Sequence, residues 1–311
     1  MSENSRDNTG EEVADYGPSL IGVAFVLVAA VGFSAKAVLV KLAYLQGVDA
    51  VTLLALRMLL SVPFFLIVAA WLRRTDPLAM SGRDWASVVG LGLLGYYLAS
   101  LLDFLGLEHV SAGLERLVLF LYPTLVVIIT ALVFRRPVGR REAAALALSY
   151  GGIALVFLRD VSSHGADVPF GALLVFGSAL AYAVYLVGSG EVLRRLGAMR
   201  FTAYAMTVAC GASVAQFLAT EPLAALRQPP PVYALALAMA LLSTVMPAFL
   251  LSAGIRRVGA RSASLIGAMG PASTIFLAAL FLGEPITGAQ LAGTALVITG
   301  VLAVSLPGRM K

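Results

Sequence analysis

Five ionisable side chains stand inside long apolar stretches of this sequence: Lys36, Arg57, Asp103, Glu115 and Arg116. A charge within a lipid bilayer is costly, so such residues usually face the interior of a helix bundle or a water-filled path. There, Lys36 or Arg57 can bind a carboxylate, and Asp103 or Glu115 can bind an amine or a proton. The alternative is a structural ion network between helices, which the pattern favours for Arg57, Glu115 and Arg116 and leaves equally open for Lys36 and Asp103.

Polar and aromatic side chains recur at helical spacing in two of these stretches. The first stripe consists of Tyr96, Ser100 and Asp103, and the second of Ser178, Tyr182, Tyr185 and Ser189. Residues at such intervals share one face of a helix, and a polar face turns away from hydrocarbon. Tyrosine rings can hold an apolar group while their hydroxyls bind polar ones. The candidate substrate-binding residues are therefore Lys36, Tyr96, Ser100, Asp103, Tyr182 and Tyr185.

Two prolines, Pro123 and Pro271, fall in the middle of apolar stretches. Each lacks a backbone N–H and therefore frees the carbonyl four residues earlier, at Leu119 and Gly267. Such a site can be a static kink or a bending point. The matched placement of the two prolines favours a gating hinge at each.

The amino-acid composition indicates whether these residues lie in a soluble protein or in a membrane protein. Of 311 residues, 60% are apolar and only 13% are charged, with a mean hydropathy of +0.92, whereas ordinary soluble domains carry about 25% charged residues. This predicts an integral membrane protein, and at roughly 20 residues per span the chain holds ten spans. The apolar segments are 19–42, 50–72, 85–107, 110–134, 142–158, 168–189, 200–219, 232–255, 258–282 and 286–306.

The distribution of basic residues predicts the orientation. Most of the 22 Lys and Arg residues lie in alternate loops, on the side of both termini, and only Lys41, Arg159 and Arg227 lie on the other side. Short cytoplasmic loops hold such an excess. We therefore expect a multi-pass protein of the inner membrane with cytoplasmic N- and C-termini, a disordered tail at 1–17 and a short C-terminal segment at 307–311. The basic charge is thus explained by topology and predicts no nucleic-acid partner.

The sequence repeats itself at an offset of 148 residues. Residues 109–158 align without a gap to residues 257–306, and Pro123 then falls on Pro271. This predicts two five-span halves, at 18–158 and 166–306. Because five is odd, the second half crosses the membrane in the opposite sense, and such inverted repeats are typical of secondary transporters with a midplane substrate site.

Several local motifs resemble the EamA-type members of the drug/metabolite transporter superfamily. They are Gly32-Phe33 with Lys41, the stretch Leu54-Ala55-Leu56-Arg57, the two prolines, and Leu282-Gly283-Glu284-Pro285-Ile286-Thr287. The sequence departs from the family pattern at Val31, where a Trp is usual, and at Arg135-Arg136, where Gly-Glu is expected. The resemblance implies an all-α integral membrane protein with ten transmembrane helices in two inverted five-helix repeats around a central cavity.

The resemblance further implies a secondary transporter of the bacterial inner membrane that exports amino acids or related small metabolites by alternating access. The alternatives are a drug or nucleotide-type metabolite transporter of the same fold and a non-transporting membrane receptor or scaffold. We expect no enzyme, since the sequence has no Walker A motif and only two histidines, His109 and His164, both in predicted loops. We also expect no metal and no cofactor; the partners are a small-molecule substrate and the lipid bilayer, and the chain is expected to be a monomer. The residues leave proton coupling open.

Overall fold

The computed structural model describes the backbone of residues 20–135, 137 and 139–305, and this part of the chain is helical and contains no strand. The expected tail at 1–17 and the segment at 307–311 lie outside it. The helices are α1 (Leu20–Tyr44), α2 (Ala50–Thr75), α3 (Gly82–Leu107), α4a (Ala112–Leu119), α4b (Tyr122–Val133), α5 (Arg140–His164), α6 (Val168–Leu196), α7 (Ala198–Thr220), α8 (Pro230–Gly259), α9a (260–267), α9b (Gly270–Leu282) and α10 (Gly288–Ser305).

The lengths and surfaces of these helices suit a lipid bilayer. Within the described residues, eight helical stretches are long and apolar enough to cross a membrane, and two shorter apolar helices, α9b and α10, follow them. Large apolar side chains such as Ile67, Leu173 and Phe276 are exposed on the outside of the bundle. Contact of such a surface with hydrocarbon tails is favourable, whereas its exposure to water is costly. The expectation of an all-helical, multi-span membrane protein is thereby confirmed.

Small residues allow neighbouring helices to approach closely. Helix α5 packs along α10, and a Cβ added at Gly152 would lie 2.6 Å from the carbonyl oxygen of Gly293. No side chain fits in that space, so glycine is required there for backbone contact. The other principal pairs are α1 with α8, α2 with α7, and α3 with α6. Helix α1 also packs on α9b, and α6 also packs on α4a and α4b.

The helices are irregular at paired positions. Helix α3 contains a π-helical segment at Leu93–Leu98, and α8 contains one at Leu241–Val245. The fourth span breaks between α4a and α4b, and the ninth breaks between α9a and α9b. Both pairs are separated by the offset of the sequence repeat.

The two prolines begin new helices instead of bending continuous ones. Pro123 and Pro271 occupy the second positions of α4b and α9b. A helix tolerates proline in its first turn because an N–H there has no intrahelical acceptor. The sequence predicted kinks at these positions, whereas the structure has complete helix breaks immediately before them.

The helices that follow each break also end alike. Gly283 caps α9b with a left-handed backbone, φ 69°. Arg135, at the equivalent position after α4b, also has a positive φ of 51°. A side chain is strained in this conformation, which glycine adopts freely. The arginine that departs from the family pattern therefore occupies a strained position.

Candidate functional site

Three of the ionisable residues meet in one cluster, the Lys36 cluster. Helix α1 supplies Lys36, α3 supplies Asp103 and α4a supplies Glu115. The Lys36 ammonium donates a hydrogen bond to Asp103 Oδ2 and lies 3.1 Å from Glu115 Oε1. The Lys36 side chain is 16% exposed, and those of Asp103 and Glu115 are 3% and 0% exposed. Residues from three different helices thus form a buried ionic site.

The cluster has more acceptors than donors. One ammonium faces two carboxyl groups, and Asp103 Oδ1 and Glu115 Oε2 have no hydrogen-bond partner among the described residues. Unpaired buried oxygens are costly. They can be satisfied by the ammonium group of a ligand, by water or by a proton. This arrangement can therefore bind an amine or exchange a proton.

The other two ionisable residues take separate positions. Arg57 of α2 is buried, and its guanidinium lies 5.2 Å from the centre of the Phe104 ring. Arg116 follows Glu115 on α4a, but its guanidinium packs against Gly270 at the start of α9b. Neither residue takes part in an ion pair within 4.0 Å among the described residues. Both charges nevertheless adjoin the Lys36 cluster, because Arg57 interacts electrostatically with Asp103 and Arg116 with Glu115.

Four tyrosines form a second cluster, the tyrosine cluster. The hydroxyls of Tyr96 and Tyr185 are 2.9 Å apart and hydrogen-bonded. The Tyr182 ring stacks on Tyr185 at 5.5 Å, and Tyr122 meets Tyr182 edge-on at 5.3 Å. Sequence reasoning missed Tyr122; the adjacent Pro123 was the signal that could have found it. The cluster joins α3, α4b and α6 in a wall that is aromatic and carries hydroxyls.

The residues of the polar stripe expected on α3 contact two different helices. Tyr96 faces Tyr185 of α6, whereas Asp103 faces Lys36 of α1. The intervening π-helical turn changes the angular spacing that a regular helix would give. Ser100 between them is half-buried. On α6, Ser178 donates a 2.7 Å hydrogen bond to the Ala99 carbonyl and thereby ties α6 to α3.

Sequence reasoning also missed a polar group near the start of α4a. Asp160 Oδ2 accepts a 3.0 Å hydrogen bond from the Ser111 N–H, and Glu284 Oε1 accepts one of 3.0 Å from the Ala112 N–H. Lys41 interacts electrostatically with both carboxylates. Lys41 lies in the last turn of α1, at the end of the first span, as the sequence predicted. The Gly283-Glu284-Pro285 motif before the last span was the signal that could have found Glu284.

Ion pairs connect the loops at the other end of the bundle. Arg200 Nη2 lies 2.9 Å from Asp76 Oδ2, and Arg195 pairs with Asp84. These pairs join the α2–α3 connection to the region where α6 meets α7. We call this the basic end, because the Arg-rich loops lie here, and the end that contains Lys41 the opposite end. Among the described residues, no group of three or more His, Cys, Asp or Glu side chains could hold a metal ion.

Comparison with known proteins gives consistent results. The model of the EamA-like transporter family matches residues 20–158 and 169–306. The chain is 34% identical to the uncharacterized transporter YcbK of Bacillus subtilis over 300 residues, which cover 94% of this chain and 96% of that protein. It is 44% identical to a probable terminal-alkyne amino-acid exporter of Streptantibioticus cattleyicolor, but over only 59 residues, 19% of this chain and 20% of that one.

A protein of known crystal structure shares the fold. It superposes with a TM-score of 0.64 at 19% sequence identity, covering 91% of this chain and 95% of the other. The family model matches both halves of the chain, and the relative from Bacillus subtilis matches nearly all of it. The protein therefore belongs to the EamA-like transporter family and is a multi-span membrane transporter.

Proposed function

We propose that this protein is a secondary transporter of the bacterial inner membrane that exports amino acids or related small metabolites by alternating access. The observation that carries the proposal is the presence of the acceptor-rich Lys36 cluster and the tyrosine cluster inside the same helix bundle. Substrate binds at Lys36, Asp103, Tyr96, Tyr182 and Tyr185, with Ser100 on the same helix as Asp103. The name of the Streptantibioticus relative, an amino-acid exporter, supports this substrate class.

The two halves, residues 18–158 and 166–306, are proposed to be inverted repeats around a central cavity. The helix pairs support this, because a two-fold axis that exchanges the halves maps α1–α8 onto α6–α3 and leaves α2–α7 and α5–α10 each on itself. The π-helical segments and helix breaks support it too, since they recur at the repeat offset. An axis in the membrane plane makes the two open states of a transporter close in energy.

Alternating access needs points where helices bend, and the helix breaks provide them. The backbone N–H of Leu121 donates a hydrogen bond to the carbonyl of Val118, three residues back, and that of Met269 donates one to the carbonyl of Ile266. Pro123 and Pro271 prevent the regular pattern from continuing through either break. We propose that α4a and α9a turn at these breaks when the site changes the side on which it is open.

We further propose that the basic end is cytoplasmic, so that both termini lie in the cytoplasm. The excess of Lys and Arg in its short loops supports this orientation. At about 1.5 Å per helical residue, Asp103 lies roughly 6 Å and Tyr96 roughly 16 Å from the end of α3 at the opposite end of the bundle. A substrate that leaves the cytoplasm would therefore pass the tyrosine cluster before the Lys36 cluster.

The substrate chemistry follows from these two clusters. The ammonium group of an amino acid satisfies the unpaired oxygens of Asp103 and Glu115, beside or instead of Lys36. The side chain of the amino acid packs on the tyrosine rings. Polar groups of the amino acid form hydrogen bonds with the tyrosine hydroxyls.

Reconstitution tests the proposal directly. Purified protein in proteoliposomes preloaded with unlabelled amino acid is expected to accumulate the same labelled amino acid by counterflow. Asp103→Asn should reduce this at least tenfold, because an amide cannot replace a buried carboxylate as partner of an ammonium. Glu191→Gln is the matched control, since Glu191 is exposed and pairs only with Arg194 among the described residues. Absence of counterflow with all twenty amino acids would refute the proposed substrate class.

A further inference from the structure

Arg116 differs from the other buried cations in what surrounds it. The ammonium of Lys36 already has two carboxylate neighbours, and Arg57 lies over the face of Phe104. The Nε atoms of Arg57 and Arg116 are both buried without a hydrogen-bond partner among the described residues, but of the two only Arg57 places its guanidinium over an aromatic ring. A guanidinium presents five N–H donors in a planar fork and keeps its charge under all physiological conditions. Arg116 therefore has at least one donor, its Nε–H, that no described residue uses, and it can bind an anion in a defined direction.

The position of this group is set by a glycine of the other half of the chain. Arg116 Nη2 lies 2.8 Å from the point that a Cβ on Gly270 would occupy. Gly270 is the first residue of α9b, and its carbonyl accepts a 2.9 Å hydrogen bond from Ser34 Oγ of α1. The absence of a side chain at Gly270 lets the guanidinium from α4a reach the break in the ninth span. Arg116 thus bridges the two halves at a proposed moving part.

The neighbours of the guanidinium match the rest of an amino-acid site. Glu115, the preceding residue, belongs to the Lys36 cluster, and the hydroxyls of Tyr122 and Tyr182 lie within electrostatic range of Arg116. A positive group, carboxyl groups and an aromatic wall therefore adjoin one another. These are the three features that a free amino acid presents in complementary form.

We propose that Arg116 binds the carboxylate of the substrate. This rests on the proposed function and deepens it: the transported molecule carries a free carboxylate, which Arg116 holds, as well as an amine, which Asp103 and Glu115 hold. A bidentate pair between guanidinium and carboxylate fixes the orientation of the substrate. In the sequence pattern alone, Lys36 and Arg57 were the candidates for this role. Because Lys36 is already ion-paired and Arg57 lies over the Phe104 ring, we assign the binding of the carboxylate to Arg116 instead.

The test compares three molecules with the same side chain: L-leucine, L-leucinamide and 3-methylbutylamine. Only the first carries a carboxylate. Competition against labelled leucine counterflow should show that the wild-type protein prefers leucine by about 10- to 100-fold, the range of charge-assisted hydrogen bonds. Arg116→Gln should reduce this preference to less than about threefold, and Arg116→Lys should retain part of it. If another amino acid gives stronger counterflow than leucine, the same comparison uses that amino acid, its amide and the corresponding amine.

A second variant tests the geometry without removing the charge. Gly270→Ala places a methyl group where the guanidinium now lies, so the preference for the carboxylate should also fall. Gly151→Ala is the matched control, because a Cβ at Gly151, inside α5 and away from the helix breaks, would have no neighbour within 4 Å. Arg194→Gln, at an exposed arginine, controls for the loss of one positive charge. If Arg116→Gln does not fold, Gly270→Ala decides the outcome.

The outcomes separate this proposal from the function on which it rests. Amino-acid counterflow with an unchanged preference in both Arg116→Gln and Gly270→Ala overturns the role of Arg116 and leaves the exporter intact. A wild-type protein that exchanges the amide and the amine as well as the acid also overturns it. Absence of all amino-acid counterflow by the wild-type protein overturns both.

Discussion

Separating Lys36 from Glu115 should destabilise the protein far more than breaking an exposed ion pair. The two charges are 3.1 Å apart, with Glu115 fully buried. At an effective dielectric constant of 20, two full charges at this distance would attract by about 5 kcal/mol, which is an upper limit because a proton shared by the two carboxyl groups removes one of the negative charges. Lys36→Met leaves two buried carboxylates without their ammonium and should lower the free energy of unfolding by about 3–5 kcal/mol.

A double-mutant cycle isolates the interaction. Combining Lys36→Met with Glu115→Gln should give a coupling energy of about 2–4 kcal/mol, below the Coulomb value because the site relaxes and water enters it. The measurement is denaturant unfolding of purified protein in detergent micelles, followed by the helical circular dichroism signal. The same cycle on the exposed Arg194–Glu191 pair should give less than about 1 kcal/mol. Equal coupling energies for the two pairs would refute the description of the Lys36 cluster as a desolvated ionic site.

Three further predictions concern the helix breaks and helix ends. Pro271→Ala should leave expression unchanged but slow transport, because it lets the ninth span continue as a regular helix; unchanged efflux at equal protein levels would count against a hinge. Glu284→Ala leaves the Ala112 N–H without its acceptor and should lower the free energy of unfolding by about 1–2 kcal/mol; a loss below about 0.3 kcal/mol would show that water replaces the carboxylate. Arg135→Gly should raise the thermal midpoint, since glycine relieves a left-handed backbone worth about 1 kcal/mol; a lowered midpoint would contradict the strain.

The candidate site was only partly predictable from residue types. The cost of a charge in hydrocarbon identified Lys36, Asp103 and Glu115 as residues that face the bundle interior, and the structure places them together. Helical spacing grouped Tyr96 with Asp103, but it assumed a regular helix, and the π-helical turn of α3 directs them to different neighbours. Spacing within one segment carries no information about such a turn.

Asp160 and Glu284 show a second limit of the sequence. Near the end of a span, a carboxylate is expected to meet water, and nothing local distinguishes one that caps a distant helix. Asp160 lies 49 residues and Glu284 lies 172 residues from its backbone partner. Only the packing of α5 and α10 near α4a brings these groups together.

The sequence alone determined the solvent, the number of apolar segments, their repetition and the family resemblance. These properties depend on composition and on local periodicity, because each helix satisfies its own backbone and needs only enough apolar residues to remain in lipid. Only the tertiary structure decided which charged side chains contact each other. Ionic and aromatic contacts depend on distances between separate helices, and a break or a π-helical turn in one helix changes those distances for every residue beyond it. The different surroundings of Lys36 and Arg116 arise in this way, since two cations in similar apolar stretches pack against different partners.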